Sequence, residues 1–245
     1  MFKILNYVLI DIRKPTLGGL GLNVIEVFAY NPKTLHLHHI KDVLVGSCCM
    51  AINKMLDRDV RQAVKNKVLK DHIDDPSTLV IDELGLNYGR NRVDIAVING
   101  EIHGYELKSD SDTLDRLPKQ AECYSLVMDK VTLVVGEKHS KEAIALVPEW
   151  WGVKIAVMGK KGAVHLTTER KNKKNKNIDP HELLKLVWKD EIMGLLSLKI
   201  DVDWRIKKLK KKDIYQLVID NFSLDEIRNH TRSILKSRSE WRFDL

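Results

Sequence analysis

Residues 93–109, VDIAVINGEIHGYELKS, constrain the fold of this chain more than any other stretch, because they read as one antiparallel hairpin with few registers open. Two runs rich in β-branched and aromatic residues flank Asn99-Gly100, a dipeptide suited to the positive φ angles of a tight turn. Side chains alternate between faces along a strand. Val93, Ile95 and Val97 are therefore expected on one face, with Asp94, Ala96 and Ile98 on the other. On the second strand Tyr105 and Leu107 oppose Gly104, Glu106 and Lys108. A two-residue loop would pair Ile98 with Glu101 and set Val93 against Glu106. A three-residue loop with Gly100 in the left-handed region pairs Ile98 with Ile102, Ile95 with Tyr105, Val93 with Leu107 and Asp94 with Glu106. The hydrophobic pattern selects the second, since a slip of one residue would turn a whole strand over.

That register has a chemical consequence. Carboxylates directly opposite on paired strands stand about 4.5–5.5 Å apart at Cβ and repel each other. A cation between them removes the repulsion, and oxygen-only ligands suit a hard divalent ion such as Mg²⁺ or Mn²⁺. Lys108 projects from the same face, where its ammonium can orient an attacking water or steady charge on a phosphate. Two acids and a lysine on one face thus form a candidate site for metal-assisted phosphodiester hydrolysis. The plain alternative is the solvated polar face of a hairpin. Against it, Asp is disfavoured in strands, and Ala96 and Gly104 leave room for a ligand beside the acids.

Around the hairpin the pattern predicts a mixed sheet flanked by helices, an α/β class with α+β character. Apolar residues recur at helical spacing over 57–72, and Asp74-Asp75-Pro76-Ser77 ends that helix. Strands are expected at 78–84, 92–98 and 102–108. A helix is expected over 112–128, with Pro118 either kinking it or marking its real start. A buried strand at 131–135, a short helix at 140–146 and strands at 153–158 and 163–167 follow. ERKNKKNKN, residues 169–177, reads as a basic low-complexity linker. Helices over 182–196, 212–220 and 224–237 complete a small helical subdomain. The organisation expected is an extension over 1–54, or a misassigned start, then a core at 55–168 and a basic helical part at 178–245. The histidines His36, His38 and His39 in the extension have no carboxylate or cysteine at ligand spacing and are read as incidental.

Charge is uneven. The net charge is +7, but residues 151–245 hold 22 Lys and Arg against 13 Asp and Glu, so the surplus sits in the second part. It attracts polyanions, nucleic acid first among them, or else it is a solvated, lysine-rich surface. No apolar run is long enough to span a bilayer, and the N-terminus lacks the features of a secretory signal. Cys48, Cys49 and Cys123 form neither a disulfide framework nor a zinc pattern. A reduced, cytoplasmic protein away from membranes is expected.

Asp94 followed by Glu106-Leu107-Lys108 resembles the D…(D/E)xK signature of the PD-(D/E)xK, restriction-endonuclease-like nucleases, and the order helix, three strands, helix, strand is similar to their common core. Gln120-Ala-Glu-Cys-Tyr124 resembles the QxxxY motif of the RecB-type branch, and the longer string around these motifs resembles a small bacterial stand-alone family without an assigned role. The resemblance implies a Mg²⁺- or Mn²⁺-dependent nuclease acting on DNA rather than RNA. Asp94, Glu106 and the Leu107 carbonyl would hold the metal, with Glu83 as the added acid and Asp59 as its alternative. Lys108 would position water, and Gln120 and Tyr124 would support the site. Ser109 and Arg116 would touch nucleic acid, with Lys207, Lys208, Lys210, Lys211 and Lys212 along its backbone. Asp112 is read as a helix cap and Trp150-Trp151 as core. The alternative function is a nucleic-acid-binding protein that keeps the fold without cleaving; RNA cleavage is a further one.

Overall fold

The segments rich in β-branched residues form β1 (Leu79–Leu86), β2 (Asn91–Ile98), β3 (Ile102–Lys108), β4 (Lys130–Gly136), β5 (Gly152–Met158) and β6 (Val164–Arg170). The computed structural model describes residues 54–238, and there these strands make one sheet in sequential order. The first three are antiparallel, β3, β4 and β5 run parallel, and β6 returns antiparallel. Each parallel step needs a crossover. Helix α3 (Leu117–Ser125) lies between β3 and β4, and α4 (Ser140–Leu146) lies between β4 and β5. The expected mixed α/β class is therefore present. The extension, its histidines, Cys48 and Cys49 fall outside the described residues.

Two apolar clusters cover the two faces of the sheet. On one, Val60, Ala63 and Val64 of helix α1 (Asp57–Lys67) pack with Ile95, Val97, Tyr105 and Leu107. On the other, Ala96, Ile98, Ile102 and Val131 pack beneath α3 with Leu117, Ala121 and Tyr124. β4 divides its side chains between the clusters, Leu133 and Val135 to one and Val134 to the other. This explains its unbroken apolar run: a strand covered on both sides has no solvent face to fill with polar residues.

The helical expectations are revised at their breaks. The pattern over 57–72 splits into α1 and α2 (Lys70–Asp74), with Leu69 fully buried at the joint. Helix α3 begins near Pro118, so the proline marks the start and residues 112–116 stay outside it. The helix expected over 182–196 is two, α5 (Pro180–Leu184) and α6 (Lys189–Leu196). Leu183, Leu184, Leu186, Val187, Ile192, Leu195 and Leu196 are all buried. One straight helix at 3.6 residues per turn would spread them over roughly 280° of its surface, more than one packing face can cover. Three further helices follow: α7 (Trp204–Lys207), α8 (Lys211–Asn221) and α9 (Leu224–Ser237).

The basic stretch 169–177 is no free linker. Arg170 donates to the carbonyls of Trp151 at 2.7 Å and Pro148 at 3.0 Å. Asn175 is buried and donates its side-chain amide to Ser125 O at 2.7 Å and Met128 O at 2.9 Å. Its lysines are surface decoration on a strap held by Arg170, asparagine and backbone. Beyond the strap, Leu183, Ile192, Tyr215, Ile227 and Leu235 join the same cluster as Ala96 and Val131. The core is thus continuous across the boundary expected between the sheet and a C-terminal subdomain.

His103 marks the far end of the sheet from the candidate site. Its ring stacks on Tyr105 with centroids 4.3 Å apart, and its Nε2 lies 2.9 Å from Thr132 Oγ1. Burial first, then the charges of Lys130 and His72, lower its pKa from 6.5 to about 3. The folded ring resists protonation while the unfolded one accepts it, so its stabilising share is complete above pH 6.5. That share is lost as the pH falls from 6.5 towards 3, on the order of 4–5 kcal/mol over the whole window. Measured by chemical denaturation, His103→Gln is expected to gain roughly 3 kcal/mol relative to the wild type on going from pH 6.5 to pH 4, because only the wild type loses the His103 share.

Candidate active site

The hairpin takes the register that the hydrophobic pattern selects. Ile98 pairs with Ile102 and Ile95 with Tyr105, across a connection of Asn99, Gly100 and Glu101 in which Gly100 has φ 70°. Asp94 and Glu106 are the next positions on the two strands, just past the last pair. There the ladder gives way to side chains. Leu107 N–H donates to Asp94 Oδ2 at 2.7 Å, and the Asp94 carbonyl accepts from Arg61 Nη1 at 2.8 Å. A carboxylate and a guanidinium thus replace strand-to-strand bonds at this level.

One expectation about the strand faces fails here. Val93 does not share a face with Ile95 and Val97; it packs with Ala96 and Ile98 in the α3 cluster, while Leu107 lies in the other. β1 does the same, with Ile81 and Leu84 both in the α3 cluster although three residues apart. The irregularity sits at Glu83, whose φ is 56°, level with Asp94 between the pairs Asp82–Ile95 and Leu84–Val93. A side chain in the left-handed region is costly for a non-glycine residue. Both strands therefore shift alternation by one residue at the site, which strict period-two reading could not anticipate.

Glu106 points into the α3 side and is fully buried. Lys108 Nζ lies 2.5 Å from its Oε1, and Tyr124 Oη lies 2.7 Å from its Oε2. Tyr124 also meets the Arg92 carbonyl, and Gln120 Nε2 donates to its hydroxyl at 3.3 Å. Trp151, fully buried, stacks on the Tyr124 ring at 5.9 Å. The second tryptophan of the Trp150-Trp151 pair is therefore core packing that fixes a site residue. Gln120 and Tyr124, four apart on α3, converge on Glu106 as helical geometry requires.

The electrostatics follow from burial. Asp94 has its pKa pushed up to about 7 by burial and then by the Glu106 charge, against the Leu107 N–H, Lys108 and Arg61. Burial also raises Glu106, with Lys108, Tyr124 and Gln120 opposing. Burial and the adjacent Glu106 hold Tyr124 protonated, so its hydroxyl remains a donor. Gln120 Oε1 is buried without a hydrogen-bond partner. Two mutually repelling carboxyls and an orphaned amide oxygen are a hard-oxygen donor set of the kind divalent cations take. Among the described residues, however, no group of three His, Cys, Asp or Glu side chains is arranged to hold a metal ion.

The other expected site residues are placed as follows. Glu83 lies level with Asp94 but its carboxylate is 2.9 Å from Arg61 Nη2, so the guanidinium stands between the acids. Asp59 accepts from Leu56 N–H at 2.9 Å and caps α1. Ser109 is buried, giving its N–H and hydroxyl to Asp112 Oδ2 at 2.7 and 2.6 Å. Asp112 thus closes the turn after β3 and does not cap α3, and Ser109 is turned inward onto it. Arg116 is exposed at the start of α3. Lys207, Lys208, Lys210, Lys211 and Lys212 are all exposed around α7 and α8. Arg61 was not foreseen. It meets Asp57, Asp82, Glu83 and Asp94 together, yet its only local signal is Asp57 four residues earlier, which reads as an ordinary surface pair.

A mixed α/β sheet with a buried acid–lysine pair at the end of its third strand defines the class of this protein. The family described as Bacteriophage P4 protein cII matches residues 50–243, and the chain belongs to that family. It is similar to Protein cII of Enterobacteria phage P4, 24% identical over 182 residues that cover 74% of this chain and 67% of that protein. Where the sequence motifs resembled a bacterial stand-alone family, the matching family carries the name of a phage protein. No solved structure gives a significant match.

Proposed function

We propose that the chain is a metal-dependent nuclease with a restriction-endonuclease-like core, acting on DNA rather than RNA. One observation carries the reading: Asp94 and Glu106 stand level at the parted ends of β2 and β3, with Lys108 held against Glu106. The order α1, three strands, α3, β4 supports the finer fold assignment, as does the convergence of Gln120 and Tyr124 on Glu106. Asp94 and Glu106 would hold a Mg²⁺ or Mn²⁺ ion, and the free amide oxygen of Gln120 would accept from its water. When bound, such an ion supplies Lewis acidity at the scissile phosphate and lowers the pKa of water.

The chain's own side chains do the rest. Tyr124, backed by Trp151, donates to Glu106 and fixes its orientation. Leu107 N–H and Arg61 hold Asp94. Lys108 lies against Glu106 in a site nearly closed to solvent, where its amine can steady an entering phosphate or the attacking water. The third acid remains Glu83, reached once Arg61 turns from it.

The test is incubation of the full chain with labelled single-stranded DNA, duplex DNA and RNA in Mg²⁺ or Mn²⁺. Cleavage is expected, with loss of roughly a hundredfold or more in Lys108→Met, as when a charge-stabilising donor is removed. No cleavage of any substrate, or a variant as fast as wild type, would overturn the proposal. A second reading, binding without cleavage, draws on the lack of a three-acid cluster among the described residues and on the cations already paired with both acids. Salt-dependent binding with no metal-dependent cleavage would establish it.

A further inference from the structure

The turn that leads into the site carries an unusual side chain. Between β1 and β2, Asn87, Tyr88 and Gly89 follow one another in the left-handed region, with φ of 47°, 59° and 79°. Glycine adopts that conformation freely, but a bulky residue does so at a cost of order 1–3 kcal/mol. Nothing apolar is gained in return, because Tyr88 is 55% exposed. Its ring instead stands among cations. Lys211 Nζ is 4.9 Å from the ring centroid and Lys185 Nζ is 5.7 Å from it. Three residues before Lys211, Lys208 Nζ stands 4.8 Å from the ring of Trp204, which is 65% exposed.

Two exposed rings are thus linked through one short lysine-rich segment. Lys207, Lys208, Lys210, Lys211 and Lys212 form no ion pair among the described residues, so this charge is not neutralised locally. Through Tyr88 the segment meets the turn whose following strand, β2, runs to the candidate site. Arg92, four residues after Tyr88, offers its carbonyl to the Tyr124 hydroxyl that meets Glu106.

We infer that Tyr88 and Trp204, with Lys208 and Lys211, form a track for single-stranded polynucleotide leading to the candidate site. The track rests on the nucleic-acid reading given above and narrows it to single strands. Flat exposed rings take unpaired bases, whose π-faces are covered in a duplex, while ammonium groups take the phosphates between them. Such binding tolerates any base sequence, because each base offers a face and none is read at its edge.

The experiment measures binding to the full chain in EDTA, so that cleavage plays no part. Fluorescence anisotropy would compare labelled oligo(dT), oligo(rU) and a mixed-sequence DNA duplex over a salt series. Oligo(dT) is expected to bind at least about tenfold more tightly than the duplex, and oligo(rU) shows whether the track also accepts RNA. Tyr88→Ala and Trp204→Ala are each expected to weaken single-strand binding roughly 5- to 100-fold with the salt slope kept. Tyr88→Phe and Trp204→Phe keep a ring, and so are expected to bind nearly as wild type, which separates stacking from damage to the turn. Lys208→Ala and Lys211→Ala are expected to lower the salt slope by about 0.7 each.

Equal or tighter binding of the duplex, or undiminished binding by both alanine variants, would overturn the track. Cleavage in Mg²⁺ without this binding pattern would remove the track and leave the nuclease proposal standing. The pattern without cleavage would do the reverse.

Discussion

Asp94→Asn is expected to stabilise the metal-free protein at pH 8 while removing metal-dependent cleavage. The carboxyl has its pKa pushed up to about 7 in the folded chain, against about 3.9 when unfolded. The folded state therefore binds its proton more tightly. The stabilisation this gives is complete below pH 4 and is lost as the pH rises to 7. Above pH 7 the folded protein bears the full cost of an ionised buried carboxylate, roughly 4 kcal/mol. Asparagine never ionises, and its amide oxygen can still accept from Leu107 N–H, the 2.7 Å bond of the wild type. Arg61 loses one of several anionic partners, which offsets part of the gain.

Denaturation across pH 4–8 would show the wild type losing this share of stability while the variant does not. Because His103 acts with opposite sign over much of that window, the variant would show the rising His103 slope alone. Mn²⁺ is expected to raise the melting temperature of the wild type and leave the variant unmoved. Cleavage is expected to fall by more than the roughly 10- to 100-fold that loss of an outer partner costs a metal site. A variant that is less stable at pH 8, or one that still responds to Mn²⁺, would remove the assignment of Asp94 as a ligand. A gain in stability on losing a functional group is the usual mark of a site maintained against folding.

Asp129→Ala is expected to be the most damaging single change to the fold. Asp129 is 1% exposed and precedes β4. It accepts from Ile102 N–H at 2.7 Å, pairs with Arg228, and lies 3.6 Å from Arg232. Both arginines belong to α9, so one carboxylate ties the last helix to the start of β3. Removing it strands a buried N–H and leaves two poorly exposed guanidinium groups with only Asp225 and Asn229 at the helix surface, a loss of roughly 3–5 kcal/mol. In a chain of this size that lowers the melting temperature by roughly 6–20 °C. Calorimetry is expected to show one transition, shifted as a whole, because the helices share the core cluster of the sheet. Two transitions with only one displaced would show that 178–245 is a separate folding unit.

The sheet was legible where its signals are local. β3 and α4 have the expected bounds, because hydrophobic alternation, a glycine turn and flanking polar residues all lie within a few positions. The helices were less so. Residues 183–196 carry too many apolar side chains for one helical face, and the need to bury all of them broke the segment at Trp188. The strap at 169–177 reads as a linker because composition sees its lysines, whereas the three-dimensional contacts are made by Arg170, Asn172, Asn175 and backbone. Asp112 shows the same limit: a residue type that suits a helix cap suits a turn equally well.

By itself the sequence determined that the hairpin forms in one register and that Asp94, Glu106 and Lys108 stand together at its parted end. These follow from the alternation over 95–98 and 102–105 and from a glycine at positive φ, both decided within twenty residues, whereas the shift of alternation at Asp94 does not. Only the tertiary structure decided what surrounds them. It brought Arg61 from α1 between Asp94 and Glu83, set Tyr124, backed by Trp151, against Glu106, and carried Lys185 and Lys211 to the turn before β2. Those contacts join residues tens of positions apart, and the charge and burial that tune Asp94 exist only once packing has excluded water from around it.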